Sequence, residues 1–91
     1  MPPSPKTYTI NEKEYKWKYS RLRGKARGWC FFSQRKILID KKAKKKTRLE
    51  IEIHEYLHAQ NPDMSEEAVC RQGRELADIL WDIGYRISSD G

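Results

Sequence analysis

Cysteine, histidine and long apolar runs are scarce in this sequence, and each scarcity removes a class of protein. The two cysteines, Cys30 and Cys70, stand far apart with no Cys-x-x-Cys spacing, which argues against a disulfide framework and a four-cysteine zinc site. They read as buried thiols in a reducing compartment. No stretch approaches the roughly 20 apolar residues of a membrane span. Met-Pro-Pro-Ser-Pro at the start has neither the basic beginning nor the apolar core of a secretory signal, so a soluble, cytoplasmic protein without membrane association is expected. With 91 residues, 37% of them hydrophobic, and a mean hydropathy of -0.95, the chain has room for one small polar domain and none for a multidomain enzyme.

What the chain has in quantity is charge, and it is divided unevenly. Residues 1–48 hold 16 Lys and Arg against 3 Asp and Glu, whereas residues 49–91 hold 3 against 10. Such asymmetry marks either a surface for nucleic acid or an acidic partner, or a basic half that pairs with the acidic half of its own domain. The densest cluster runs from Lys41 to Arg48 and reads as a solvated connector between a strand and a helix.

Residues 1–5 carry three prolines and read as a tail, as do residues 88–91, leaving one domain over 6–87. Thr7 to Ile10, a turn at Asn11 to Lys13, and the alternation of Tyr15, Trp17 and Tyr19 with Lys16, Lys18 and Ser20 predict a hairpin with one aromatic face. Trp29 to Ser33 and Lys36 to Asp40 predict two more strands, giving three or four in an antiparallel sheet. Thr47 then offers a cap for a helix over 48–60, with Leu49, Ile53, Tyr56, Leu57 and Gln60 on one face, although Leu49 to Ile53 also alternates as a strand does. Ser65 caps a second helix over 65–83, whose stripe runs through Val69, Gly73, Leu76, Ala77, Leu80 and Ile83 to a terminating Gly84. The expected fold class is α+β, a small antiparallel sheet followed by two helices.

One motif carries chemistry. His54-Glu55-Tyr56-Leu57-His58 is an H-E-x-x-H sequence that contains both histidines of the chain. On a helix, residues four apart stand one turn above each other, so two imidazoles reach one metal ion at about 2.0–2.1 Å. The glutamate after the first histidine is then placed to act as general base on an activated water. A zinc site open for chemistry needs a third protein ligand. No third histidine exists, so a carboxylate must serve, from Glu66, Glu67, Glu75, Asp78 or Asp82 on the second helix. A short connection brings the start of that helix beside His58, which favours Glu66 and Glu67 over the others. Helical phase mildly prefers Glu66.

An H-E-x-x-H helix followed by a helix bearing a carboxylate resembles the gluzincin metallopeptidases. More closely, Lys36 to Asp40, the basic connector, Leu49 to Ala59, Pro62 to Val69 and Leu80 to Arg86 resemble short phage and bacterial proteins with a minimal H-E-x-x-H metallopeptidase core, of minigluzincin or SprT-like type. The likeness covers about residues 28–87. It implies a zinc ion on His54, His58 and a glutamate of the second helix, Glu55 as general base, a peptide or protein substrate, and an intracellular setting that for a phage protein is the host cell. Ligand glutamates of gluzincins are followed by a small and then an apolar residue, so Glu67-Ala68-Val69 makes Glu67 the expected third ligand, with Glu66 as its alternative. Larger relatives carry additional domains that form substrate clefts and supply an oxyanion-stabilising group. This chain has no room for them, and Tyr56 and Tyr85 are its candidates for that role.

Two further readings complete the expectations. Lys36 to Asp40 is either an edge strand that pairs with an extended peptide or, more simply, a core strand. The runner-up function is a binding module. In it Tyr15, Trp17, Tyr19, Trp29, Phe31 and Phe32, interleaved with basic residues, present a surface to single-stranded nucleic acid and the zinc site is structural or vestigial. Alternation along residues 15–19 puts aromatics on one face and lysines on the other, which favours an aromatic core over a mixed platform.

Overall fold

In the computed structural model, which describes residues 6–86, the first reversal of the chain falls at Asn11 and Glu12, with φ of 53° and 65°. Positive φ at both central residues is the mark of a two-residue hairpin whose twist matches its strands, and Asn tolerates that region better than most residues. The turn joins β1 (Lys6–Ile10) to β2 (Lys13–Ser20) in an antiparallel register that pairs Tyr8 with Tyr15 and Lys6 with Trp17. The expected tails at 1–5 and 88–91, and residue 87, lie outside the described residues.

The other two strands, β3 (Gly28–Phe31) and β4 (Lys36–Asp40), form a second antiparallel hairpin. The sheet order is β1-β2-β4-β3, and β2 pairs with β4 in parallel, Trp17 opposite Ile37 and Tyr19 opposite Ile39. The sheet is therefore mixed, which corrects the expectation of a wholly antiparallel one. The reason lies in β4. Its Ile-Leu-Ile centre is apolar towards both faces, a pattern that belongs inside a sheet, and Ile37 and Ile39 are 0% exposed. The loop over 21–27 carries the chain past β4 to the far edge, and β4 then returns between β2 and β3 in the direction of β2. Lys36 to Asp40 is thus an interior strand, and β3 is an edge strand.

Two helices follow, α1 (Lys45–Gln60) and α2 (Glu66–Asp82), completing an α+β fold. Helix α1 starts three residues before the expected Arg48. Its cap position is Lys44, with no side-chain cap hydrogen bond, so the role expected of Thr47 is not taken. The alternation from Leu49 to Ile53 belongs to the helix. One face of α1 sends Ile51 and Ala59 into a core with Ile10, Tyr15, Ile37 and Ile39. Helix α2 packs on α1 and makes no comparable contact with the sheet. Val69, Gly73 and Ala77 are its buried residues, and Gly73 faces the backbone of His54. Small side chains there let the helices approach closely. Ser65 caps α2 as expected, its Oγ accepting from the Ala68 N–H at 3.1 Å. Gly84, at φ 107°, follows the helix end. No helix among the described residues is long and apolar enough to cross a membrane.

Candidate metal site

Helix α1 holds His54, Glu55 and His58 within one and a half turns, and their environments differ sharply. The histidines lie on its flank towards α2, each with a side chain 21% exposed. Their rings stand edge to face with Nε2 atoms 3.2 Å apart. Glu55, one position on, turns towards the sheet and is only 6% exposed.

The first turn of α2 brings in the third group. Glu66 Oε1 lies 2.9 Å from His58 Nε2, and Glu66 Oε2 lies 3.2 Å from His54 Nε2. Ligand atoms at 2.0–2.1 Å on a tetrahedral ion stand about 3.3 Å from one another, a spacing close to that of these nitrogen and oxygen atoms, although the two contacts use different oxygens of Glu66. His54, His58 and Glu66 together could hold a metal ion, each offering one ligand atom within 4.8 Å of the others. Glu67 is not in this group. The carboxylate that helical phase prefers meets the histidines, whereas the one the metallopeptidase resemblance favours is exposed outside the cluster. The phase explains the outcome: Glu66 precedes the buried Val69 and Gly73 by three and seven residues and so shares their side of the helix. Glu75 and Asp82 are not brought to the histidines, and Asp78 pairs with Lys46.

The charges of the cluster are coupled. Burial, followed by the charge of nearby His58, holds the His54 imidazole below its ordinary range despite the opposing pull of Glu66. For Glu66, burial pushes the carboxyl up, but His54 and His58 together bring it below the usual carboxylate range. Burial in the first place and the charge of Glu66 in the second push the Glu55 carboxyl up to about 7. A base poised there can both accept and return a proton near neutral pH.

Several neighbours of the site carried no signal in the motif. Gly28, the first residue of β3, leaves the space Glu55 occupies: a β-carbon at Gly28 would stand 2.8 Å from Glu55 Oε2. Cys70 lies one turn beyond Glu66, and its thiol donates to Glu66 Oε2 at 3.6 Å. That i, i+4 spacing was available in the sequence once Glu66 was placed. Two open grooves meet at the cluster and share Gly28, His54, Glu55 and Glu66. One, of about 350 Å³, adds Lys25, Arg27, Thr47 and Glu50. The other, of about 240 Å³, adds Trp29, Cys30, Phe32 and His58. Tyr56 and Tyr85 line neither groove; the Tyr56 hydroxyl donates to Gln60 Oε1 at 3.3 Å.

Comparison of the chain with protein-family models, with curated proteins and with solved structures finds no match.

Proposed function

We propose that the protein is a zinc-dependent metallopeptidase in which His54, His58 and Glu66 hold the metal and Glu55 is the general base. The observation that carries this reading is the convergence of two imidazoles and one carboxylate at separations of 2.9–3.2 Å, with a buried carboxylate one residue from the first imidazole. Two histidines and a glutamate form a donor set used for zinc sites that keep a position open for chemistry. When bound there, zinc supplies Lewis acidity to a carbonyl and lowers the pKa of water towards about 7.

The chain's own residues account for the rest. Glu55 takes a proton from the attacking water and returns it to the leaving amine. Gly28 gives that carboxylate its room, and Ile51 closes the wall behind it. An edge strand beside the cluster, β3, has one side paired with β4 and the other free among the described strands, so an extended peptide can add to it through backbone hydrogen bonds. Phe32 gives the groove on that side an apolar wall for substrate side chains. The free thiols of Cys30 and Cys70 suit a reducing, cytoplasmic setting.

The test is metal content followed by cleavage. Purified protein is stripped, reloaded with zinc and compared with His58→Ala and Glu66→Gln for metal content. A peptide library is then screened with Glu55→Gln as the inactive control. One zinc per chain, lost in both ligand variants, together with cleavage that Glu55→Gln abolishes, is expected. Wild-type protein that retains no zinc after reloading overturns the reading.

A further inference from the structure

The sheet has two faces, and among the described residues only one is covered. Both helices lie on the side of Tyr15, Ile37 and Ile39, with Cys30 packed against the same core. Strand alternation sends the intervening residues the other way, and the cross-strand registers then place side chains that are remote in sequence into two rows. Lys16 is opposite Lys36, which is opposite Phe31; Lys18 is opposite Leu38, which is opposite Trp29. The rows are about 6.7 Å apart along the strands.

The result is a cationic column on β2 and an aromatic column on β3, with Lys36 and Leu38 of β4 between them. Trp29 and Phe31 stack on each other with ring centroids 6.1 Å apart and planes 28° apart, and Trp29 is 50% exposed. The Lys36 ammonium sits 5.3 Å from the centre of the Phe31 ring. Like charges directly opposite each other in a sheet are unfavourable, yet Lys16 and Lys36 are paired in that way. The acids on this face are Glu14 at one end of β2 and Asp40 at the end of β4, the latter accepting from the Lys42 N–H. Among the described residues, only Lys46 and Arg48 of the basic first half form ion pairs with the acidic second half. The charge asymmetry is thus not neutralised within the domain. Arg21, Arg23, Lys41 and Lys42, all exposed, follow the ends of β2 and β4 at one end of the same sheet, whereas Lys25 and Arg27 line the groove on the metal side.

We propose that this open face binds single-stranded nucleic acid, with Trp29 and Phe31 stacking on bases and Lys16, Lys18 and Lys36 engaging phosphates. Each part of that chemistry has a counterpart on the surface. Exposed aromatic rings offer a stacking platform that accepts any base, and a row of ammonium groups tracks the backbone. A duplex hides its bases from such a platform, so single strands are the better fit. Lys16, Lys18, Lys36 and Phe31 lie across the sheet from Glu55 and the histidines, while Trp29, on the edge strand, borders both this face and the groove of the metal cluster. None of these residues is a candidate metal ligand, so binding there does not depend on the metal.

The experiment is fluorescence anisotropy of a dye-labelled oligothymidylate of about 12 nucleotides with the full chain, at low and raised salt. Binding that weakens with salt, exceeds that of a duplex of the same length and persists after chelation of metal is expected. Trp29→Ala should weaken it roughly tenfold, while Trp29→Phe, which keeps a ring, should retain most of it. Lys18→Glu at an exposed position should weaken it and reduce the salt dependence. Circular dichroism of each variant checks that the sheet is intact. Absence of binding at low salt, unchanged affinity in both Trp29→Ala and Lys18→Glu, or displacement by polyglutamate as effective as by unlabelled oligonucleotide would overturn the proposal, the last by making an acidic protein the partner.

Discussion

Gly28 and Glu55 are in such close register that the strand and the helix specify each other at this point. A β-carbon on Gly28 would meet Glu55 Oε2 at 2.8 Å, Glu55 Cγ at 3.0 Å and Ile51 Cγ2 at 3.0 Å. Contacts this short force a shift, and the Glu55 side chain is buried rather than free to swing into solvent. Gly28→Ala is therefore expected to displace the Glu55 carboxylate while leaving His54, His58 and Glu66 in place. The variant should bind zinc as wild type does, lose most peptide-cleaving activity, and unfold with a deficit of about 1–3 kcal/mol from overpacking. Zinc content, turnover and thermal unfolding measured on one preparation check this; full activity in the variant would show that Glu55 has slack the geometry does not suggest.

Glu66 and Glu67 are adjacent in sequence and opposite in consequence. Only Glu66 reaches both histidines, at 2.9 and 3.2 Å, so Glu66→Gln should reduce zinc affinity by at least tenfold and Glu67→Gln should leave it within about twofold, since losing a charged ligand costs more than about 1.4 kcal/mol. Competition with a chromogenic chelator separates the two. Equal losses, or loss in Glu67→Gln alone, would move the third ligand to the position that the metallopeptidase resemblance favoured.

That contrast also marks what was legible in the sequence. Positions of the four strands and of α2 followed from period-two and period-three-or-four patterns because each element buries one face against its neighbours. The pair His54 and His58 was legible because a helix fixes the i, i+4 relation locally. Glu66 required only the phase of Val69 and Gly73. The parallel pairing of β2 with β4 was not legible, because strand order is set by how non-consecutive segments pair, and the full burial of Ile37 and Ile39 on the covered face leaves no local pattern that separates a parallel from an antiparallel neighbour. Gly28 and the two rows across β2, β4 and β3 escaped for the same reason: they exist only through registers between segments that are not consecutive. The period-two pattern over residues 15–19 correctly separated Tyr15 and Trp17 from Lys16 and Lys18, but the aromatic partners of those lysines come from β3.

Ser65 links the stability of α2 to the position of Glu66, the next residue. Its Oγ accepts from the Ala68 N–H at 3.1 Å, and nothing equivalent caps α1. Ser65→Ala should cost about 1 kcal/mol of stability. Because the first turn then frays, zinc affinity should fall several-fold as well, whereas Ser65→Asp, which can replace the cap, should restore both. Denaturant titration paired with chelator competition tests the coupling; a stability loss with unaltered zinc affinity would show that Glu66 is held by α1 rather than by its own helix.

The metal-free protein should carry a pH signature of Glu55. Burial first and the Glu66 charge second raise its carboxyl from 4.5 to about 7, so the folded protein holds that proton more tightly than the unfolded chain. The resulting stability is fully present below about pH 4.5 and is lost as pH rises through about 7, a change of about 3 kcal/mol. His54 acts in the opposite sense: burial lowers its imidazole from 6.5, so its contribution is present above that value and is lost as pH falls through the lowered one. Wild type alone would show the two superimposed. Comparison with Glu55→Gln, in which the amide cannot ionise, isolates the carboxylate: the variant should gain on wild type from about pH 4.5 to about 7 and hold that gain above it. Urea unfolding of both proteins in chelator across that range is the measurement, and a constant difference between them would mean that Glu55 ionises as readily in the folded protein as in the unfolded chain.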